Sequence, residues 1–427
     1  MRYLADLHIH SPFSRATSKE MTIPNIYKWS CLKGIDVIAT GDFTHPEWFS
    51  EIKKSLVENN NGLFELREDL KKNIRKEVFS SCSHLNPKFI LSTEISCIYR
   101  KNNRIRKVHN VILMPDLKSA ETFIKTLERI GNIRSDGRPI LGLDSKELLK
   151  IVIETCPSSI FIPAHIWTPH FSVFGEFSGF GSIEECFDDL SRHIYAIETG
   201  LSSDPAMNWM VSSLDKFQLV SNSDAHSCEN IGRECNIFES NTDISYNLIF
   251  DILKTGDGLV GTIEFFPEEG KYHYDGHRNC NIALHPFESI KNKLLCPVCK
   301  RKLTIGVLHR VIELADRKKV DQKQLNKKIY KSYIPLKEII SQFLGKTKTS
   351  KVVANQYFDL IKNLGPELKI LDFDTSIKDS VIKYPVLEYV KNMHSYNIEL
   401  NPGFDGKYGI IRVKNINAIK SEQMRLL

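Results

Sequence analysis

At 427 residues the chain has room for more than one domain and for a large buried core. With 41% hydrophobic and 26% charged residues it has an ordinary globular composition, which excludes a collagen-like or wholly disordered chain. No apolar run of about 18 residues marks a membrane span. The net charge of +6 is unevenly placed: residues 271–427 carry 29 Lys and Arg against 15 Asp and Glu, an excess of 14, so the first 270 residues are net negative by 8. That asymmetry predicts an acidic, metal-binding part joined to a basic grip for a polyanion.

The chain opens M-R-Y-L-A-D-L-H-I-H. The apolar run 3–7 predicts a buried strand whose end carries Asp6, His8 and His10. Alternate residues on a strand share a face, so these side chains are expected to point the same way, as a divalent metal requires. The first residues enter this strand directly, so no signal peptide is expected and the location reads as cytoplasmic, associated with the nucleoid. Further apolar runs follow at 35–40, 89–93, 111–114, 160–164, 194–198, 218–221 and 259–266. Helix-length stretches separate them, among them 50–57, 120–130, 145–154 and 183–191. This β/α alternation predicts a parallel sheet, closed or open, with residues 50–85 as a charged, helix-like loop insertion.

The ends of the runs carry the chemistry. Asp42 and His45 follow the second run and Glu94 the third, while His109 opens the fourth. His165 and His170 follow the fifth, Glu198 closes the sixth, and Asp224 and His226 follow the seventh in N-S-D-A-H. In a parallel barrel such positions meet on one face, and these residue types suit Zn, Mn or Fe. His45, His170 and Glu198 are read as ligands, as groups that orient ligands, or as merely polar residues.

Seven of the ten cysteines are scattered, which fits a reducing compartment rather than a disulfide framework. The others complete His277-x2-Cys280-x15-Cys296-x2-Cys299, the spacing of a small structural zinc ribbon, with His273 or His285 as alternatives to His277. A helix is expected over 306–315, followed by Arg317, Lys318 and Lys319 and by further lysines interleaved with Tyr330 and Tyr333. Basic residues among aromatics suit phosphate contact and base stacking. Helices are expected over 335–344 and 351–364, and a strand over 410–413. Gln342-Phe343-Leu344 and Gln356-Tyr357-Phe358 are faint candidates for a sliding-clamp peptide.

D-L-H-I-H, Glu94, His109, His165 and D-A-H together resemble the motifs of the polymerase and histidinol phosphatase (PHP) family. S-R-A-T-S-K at 14–19, T-G-D-F-T-H-P-E-W at 40–48, K-Y-H-Y-D-G-H-R-N-C at 271–280, C-P-V-C and T-I-G-V-L-H-R-V at 304–311 narrow the resemblance to the endonuclease Q family. It implies an α/β fold in three parts. A distorted (β/α)7 metal-dependent catalytic barrel would occupy residues 1–268, a zinc-binding ribbon 269–312, and a basic, mostly helical DNA-binding region 313–427. It implies hydrolysis of the phosphodiester 5′ to uracil, hypoxanthine, xanthine or an abasic site in double- or single-stranded DNA.

The resemblance also implies roles for individual residues. His8, His10, Glu94 and Asp224 would hold one metal, Glu94 would bridge to a second on His109 and His165, and His226 would belong to a third site. Zinc is expected in the ribbon and in the barrel, with Mg2+ or Mn2+ as alternatives in the barrel. Arg15 stands where a further ligand is expected and Phe43 where many relatives have His, so Arg15 is read as a phosphate clamp and Asp42, with Asp224, as catalytic. Ser11, Ser14, Arg15, Trp167, Arg317, Lys318 and Lys319 are the expected DNA contacts. The loop 167–181, with its aromatics, is a candidate for stacking on a flipped base. A small-molecule phosphatase and a non-enzymatic DNA adaptor are the competing readings.

Overall fold

A computed structural model describes residues 1–414 except 319, 321, 323–326, 374–376 and 378–379. The first strand, Arg2–Asp6, is central. It pairs in parallel with Val37–Ala39 on one side and antiparallel with Cys235–Glu239 on the other. Val37–Ala39 pairs in parallel with the long strand Lys88–Lys101. The residues lining these strands, among them Ala5, Leu7, Val37, Ile38, Ile90 and Leu91, are fully buried. Each large apolar side chain so buried contributes roughly 1.5–3 kcal/mol.

The sheet is mixed rather than uniformly parallel. Lys88–Lys101 folds back on Arg104–Met114 as an antiparallel hairpin, which in turn pairs antiparallel with Ile160–Pro163. Asn102 and Asn103 make its tight turn with φ of 53° and 57°. Two successive positive φ angles match the right-handed twist of the flanking strands, and Asn tolerates them. His109 therefore lies within an antiparallel strand, opposite Ser96, and not at the end of a parallel one. Residues 50–85 likewise depart from a single helical insertion. Helix Pro46–Ser55 leads into the hairpin Leu56–Glu58/Phe64–Leu66, which joins the sheet at Phe64 beside Phe89, and then into helix Glu68–Glu77. The expected helices near 120–130 and 145–154 form as Leu117–Glu128 and Ser145–Thr155, capped by Asp116 and Asp144.

Beyond the main sheet, Asp275–His277 and Ile282–Leu284 form a small hairpin that carries helix Pro286–Lys291 and the second cysteine pair. The chain then returns to the sheet: Ile329–Ser332 pairs in parallel with Leu259–Glu264. The approach is so close that a Cβ on Gly261 would collide with the Ile329 carbonyl. Helices Leu336–Leu344 and Leu387–His394 pack over the hairpin Ile398–Asn401/Ile410–Val413, and Lys351–Leu364 packs against Leu336–Leu344. Buried Glu367 accepts from Lys33 Nζ at 2.5 Å and from the Tyr357 hydroxyl at 2.7 Å, tying this region to the first helix, Ile23–Lys33. Gln342 bonds the backbone of Ile411 and Val413, and Tyr357 is buried, so both clamp-peptide candidates are spent inside the fold. Among the described residues, no helix is long and apolar enough to cross a membrane.

Candidate active site

Glu94 is the hinge of the site. It is buried near the middle of Lys88–Lys101, and its two oxygens face different partners. Oε1 lies 2.8 Å from His109 Nδ1 and 3.1 Å from His165 Nε2. Oε2 lies 3.3 Å from His10 Nε2 and 3.6 Å from His8 Nε2. Asp224 Oδ1 sits 3.0 Å from His10 Nε2 and 3.8 Å from His8 Nε2. Three sets of ligand atoms each fall within 4.8 Å: His8, His10 and Glu94; Glu94, His109 and His165; and His10, Asp224 and His226.

This donor set fits divalent cations. The buried atoms His8 Nε2, His10 Nε2 and Asp224 Oδ1 lack hydrogen-bond partners among the described residues, although they crowd together. Buried polar atoms left so are expected to have a partner. Burial pulls the His109 imidazole down to about 4 against the opposing pull of Glu94, so it is neutral, the form that ligates metal. Burial pushes Glu94 up, yet its cationic and hydrogen-bonding neighbours, Arg138, His8 and His10 among them, outweigh it and hold its carboxyl well below the usual carboxylate range.

A second layer holds these groups in place. Glu198 faces His8 Nδ1 at 3.1 Å and accepts from Asn222 Nδ2 and the His165 backbone N–H, each at 2.8 Å. Asp42 faces His10 Nδ1 at 3.0 Å and accepts from the Ser11 N–H at 2.6 Å and from the Ser11 and Ser14 hydroxyls, each at 2.7 Å. Fully buried, Asp42 orients His10 rather than lying with the ligand groups, and the two serines are spent on it rather than facing DNA. Asp6 does not converge with His8 and His10 on metal. It accepts from the backbone of Ser223 and Gly232, and burial raises its carboxyl to about 6.

Sequence reasoning missed Arg138. Its Nη1 donates to Glu94 Oε2 at 3.0 Å from a loop clamped against residues 11–15. Gly137 donates to the Phe13 carbonyl, and a Cβ there would strike Asp42 and Ser14, so only glycine fits. Asp136 accepts from the Arg15 and Arg138 backbone. The local pattern gives little notice of Arg138, which precedes the two-residue strand Ile140–Leu141 instead of following an apolar run.

The remaining expected contacts are scattered. Arg15 is exposed at the rim. Trp167 is buried, donates to Asn208 at 2.7 Å and packs on Phe174, so it is closed to DNA. Of the aromatics in 167–181, Phe177 is exposed and stacks on His170. His45 stacks on Phe13 and faces the Arg134 carbonyl, away from the ligands. Arg317 is paired with Asp215 and bonded to the Trp209 carbonyl. Lys318 is exposed, and Lys319 lies outside the described residues.

In the small module His277, Cys280, Cys296 and Cys299 bring their ligand atoms within 4.8 Å, a Cys3His set with no place for a further ligand. The two alternatives stand elsewhere: His273 is buried beside Tyr274, and His285 caps helix Pro286–Lys291.

Residues 335–393 match the family described as the MJ0043 C-terminal domain. The chain is 30% identical over 253 residues to the uncharacterized protein MJ0043 of Methanocaldococcus jannaschii, which covers 58% of this chain and 31% of that protein. It thus spans under a third of the length of that relative. It is 29% identical over 314 residues to the uncharacterized protein YqxK of Bacillus subtilis, covering 71% and 74%. Among solved structures, the lesion-specific endonuclease PfuEndoQ from Pyrococcus furiosus superposes with a TM-score of 0.82 at 29% identity over 99% of each chain. An endonuclease Q complexed with a 27-mer duplex substrate, an abasic lesion at its active site, gives 0.81 at 30% identity over 97% of each. With that identity extending over nearly the whole of both chains, the chain belongs to the endonuclease Q family and is a nuclease.

Proposed function

We propose that this protein nicks DNA on the 5′ side of deaminated bases (uracil, hypoxanthine and xanthine) and of abasic sites, using two or three metals in the barrel. The observation that carries the reading is the division of Glu94, one oxygen toward His8 and His10 and the other toward His109 and His165. His8, His10, Glu94 and Asp224 would hold one ion, Glu94, His109 and His165 the second, and His226 with His10 and Asp224 a third. Zinc, Mn2+ or Mg2+ would supply Lewis acidity at the phosphate and an activated water near neutral pH. Glu198 and Asp42 fix the rings of His8 and His10. Arg138 stays cationic, since Glu94 and Asp224 outweigh the cost of its burial, and it would neutralise charge on the scissile phosphate, with Arg15 at the rim. The Cys3His set would hold structural zinc in the ribbon.

The base would enter a cleft of about 600 Å³ next to the ligands, lined by Thr168, His170, Arg233, Tyr272, His273 and Tyr408. Arg233 links it to the site by donating to the Ser223 carbonyl, one residue before Asp224. The exposed Phe177–His170 stack stands at its rim.

The test is incubation with duplexes carrying uracil, hypoxanthine, xanthine, an abasic site or no lesion, with Mn2+ or Mg2+ present, followed by mapping of the cut. Incision immediately 5′ of each lesion and none in the undamaged duplex is expected. Indifference to the lesion, or release of phosphate from small monoesters alone, would overturn the reading.

A further inference from the structure

The carboxylate that faces His8 is itself held from behind. Asn222, two residues before Asp224 in N-S-D-A-H, is fully buried and donates from Nδ2 to Glu198 Oε1 at 2.8 Å. Its Oδ1 accepts from the Leu7 backbone N–H at 2.8 Å and from Asn236 Nδ2 at 2.9 Å. Asn236, equally buried, is pinned by main chain. Its Nδ2 also faces the Ala5 and Ser221 carbonyls at 3.1 and 3.0 Å, and its Oδ1 accepts from the Ser221 N–H at 3.0 Å.

A backbone N–H can only donate, so the Leu7 N–H fixes which end of the Asn222 amide is oxygen. The NH2 is thereby committed to Glu198. That carboxylate lies 3.1 and 3.2 Å from His8 Nδ1. A proton kept on Nδ1 toward Glu198 leaves His8 Nε2 with its lone pair, on the side of Glu94 and Asp224. Glu198 Oε2 also accepts from the His165 N–H, so one carboxylate serves both ligand sets that share Glu94. Apart from the His8 ring, Asn222 is the donor that holds Oε1 among the described residues. Without it, the carboxylate would be free to turn about its last bond. Asn222 itself hydrogen-bonds to Leu7, Asn236 and Glu198, and to none of the ligand side chains among the described residues.

We propose that Asn222 is a positioning residue for the metal centre, acting on His8 through Glu198. The proposal rests on the metal-dependent nicking reading above.

The test is a double-variant cycle on the full-length protein, read as Mn2+ affinity. Thiolate sites disfavour Mn2+, so the EPR signal of the free ion follows the active site and not the Cys3His set. Asn222→Ala should weaken Mn2+ binding about tenfold, the lower end of what loss of an outer partner of a metal-bound histidine costs. Glu198→Ala should weaken it about 10–100-fold. The double variant should bind Mn2+ as Glu198→Ala does, because the route from the amide to the ions is already cut. Nicking by Asn222→Ala should return to within a few-fold of wild type at saturating Mn2+. Cooperative urea unfolding checks each variant, and Asn222→Ser with Glu198→Ser, whose hydroxyls are too short to span the gap, repeats the cycle where an alanine does not fold. Unchanged Mn2+ affinity in the Asn222 variant, or losses that add in the double variant, would overturn the proposal and assign the amide to the fold alone. If the cycle holds and wild type nicks no lesion duplex, the positioning role stands and the nicking reading falls.

Discussion

Asp42→Asn isolates the grip on His10. The wild-type carboxylate faces His10 Nδ1 and accepts from the Ser11 N–H and two serine hydroxyls, all in a fully buried pocket. An amide has one acceptor oxygen. Whichever way it turns, its NH2 meets either the His10 ring N–H or the Ser11 backbone N–H. A buried donor left facing a donor costs about 1–3 kcal/mol. Loss of a group that orients a metal-bound histidine weakens metal binding about 10–100-fold, or about 1.4–2.8 kcal/mol, which is the same size. Chelator competition should therefore show active-site metals released at about 10–100-fold lower chelator. Single-turnover nicking at saturating Mn2+ should return to within a few-fold of wild type. Unchanged metal affinity with a rate that stays about a thousandfold down at saturating metal would refute this reasoning and put Asp42 on the reacting atoms.

Asp224→Ala removes a carboxylate that belongs to the ligand cluster but not to the cleft for the base; it should lose most nicking while gel-shift competition still favours a uracil duplex, and loss of both together would mean that recognition is built on the ligands. Arg317→Gln should leave the salt slope of DNA binding unchanged, because the guanidinium is already committed to Asp215, and should lower stability by no more than about 1 kcal/mol. Burial pushes Glu65 up, but hydrogen bonds from Lys88, Lys71 and Asn59 outweigh it and bring the carboxyl down to about 2. Its folded value is thus depressed, so its stabilising contribution is complete above about 4.5 and fades as pH falls toward 2. Urea titrations of Glu65→Gln should therefore lie below wild type at pH 7 and converge with it in acid, and a gap independent of pH would refute the assignment.

The candidate metal-binding residues were legible where they sit in short motifs. His8 and His10 alternate on the continuation of a strand, Asp224 and His226 share one tight segment, and the cysteines repeat at fixed spacing. Glu94 was legible as a carboxylate after an apolar run, although the run proved to continue straight through it. The hairpin was misread because each arm looks like a separate buried run. The signal that joins them, Lys101-Asn102-Asn103-Arg104, is two turn-forming asparagines with no glycine. Arg138 was missed, and the roles of Asp42 and Glu198 were left unsettled, for a different reason. Their roles depend on which imidazole nitrogen or carboxylate oxygen they meet across 32, 190 and 44 residues, and no local period encodes such a meeting. The charge of Arg317 was counted correctly and its partner was not, because Asp215 lies 102 residues away.

The strand Ile329–Ser332 that lies along Leu259–Glu264 has a consequence for how the protein is made. Until the ribosome has added these residues, the catalytic sheet presents Leu259–Glu264 as an unpaired edge, with free N–H and C=O groups that can recruit another chain. The small cysteine module is synthesised in that interval, between two strands that must end up side by side. The sheet is therefore completed only after the module has emerged, and a fragment cut at residue 312 would retain the candidate metal-binding residues yet expose a sticky edge. Ile329–Ser332 covers that edge late, coupling completion of the sheet to the arrival of the segment that follows the module.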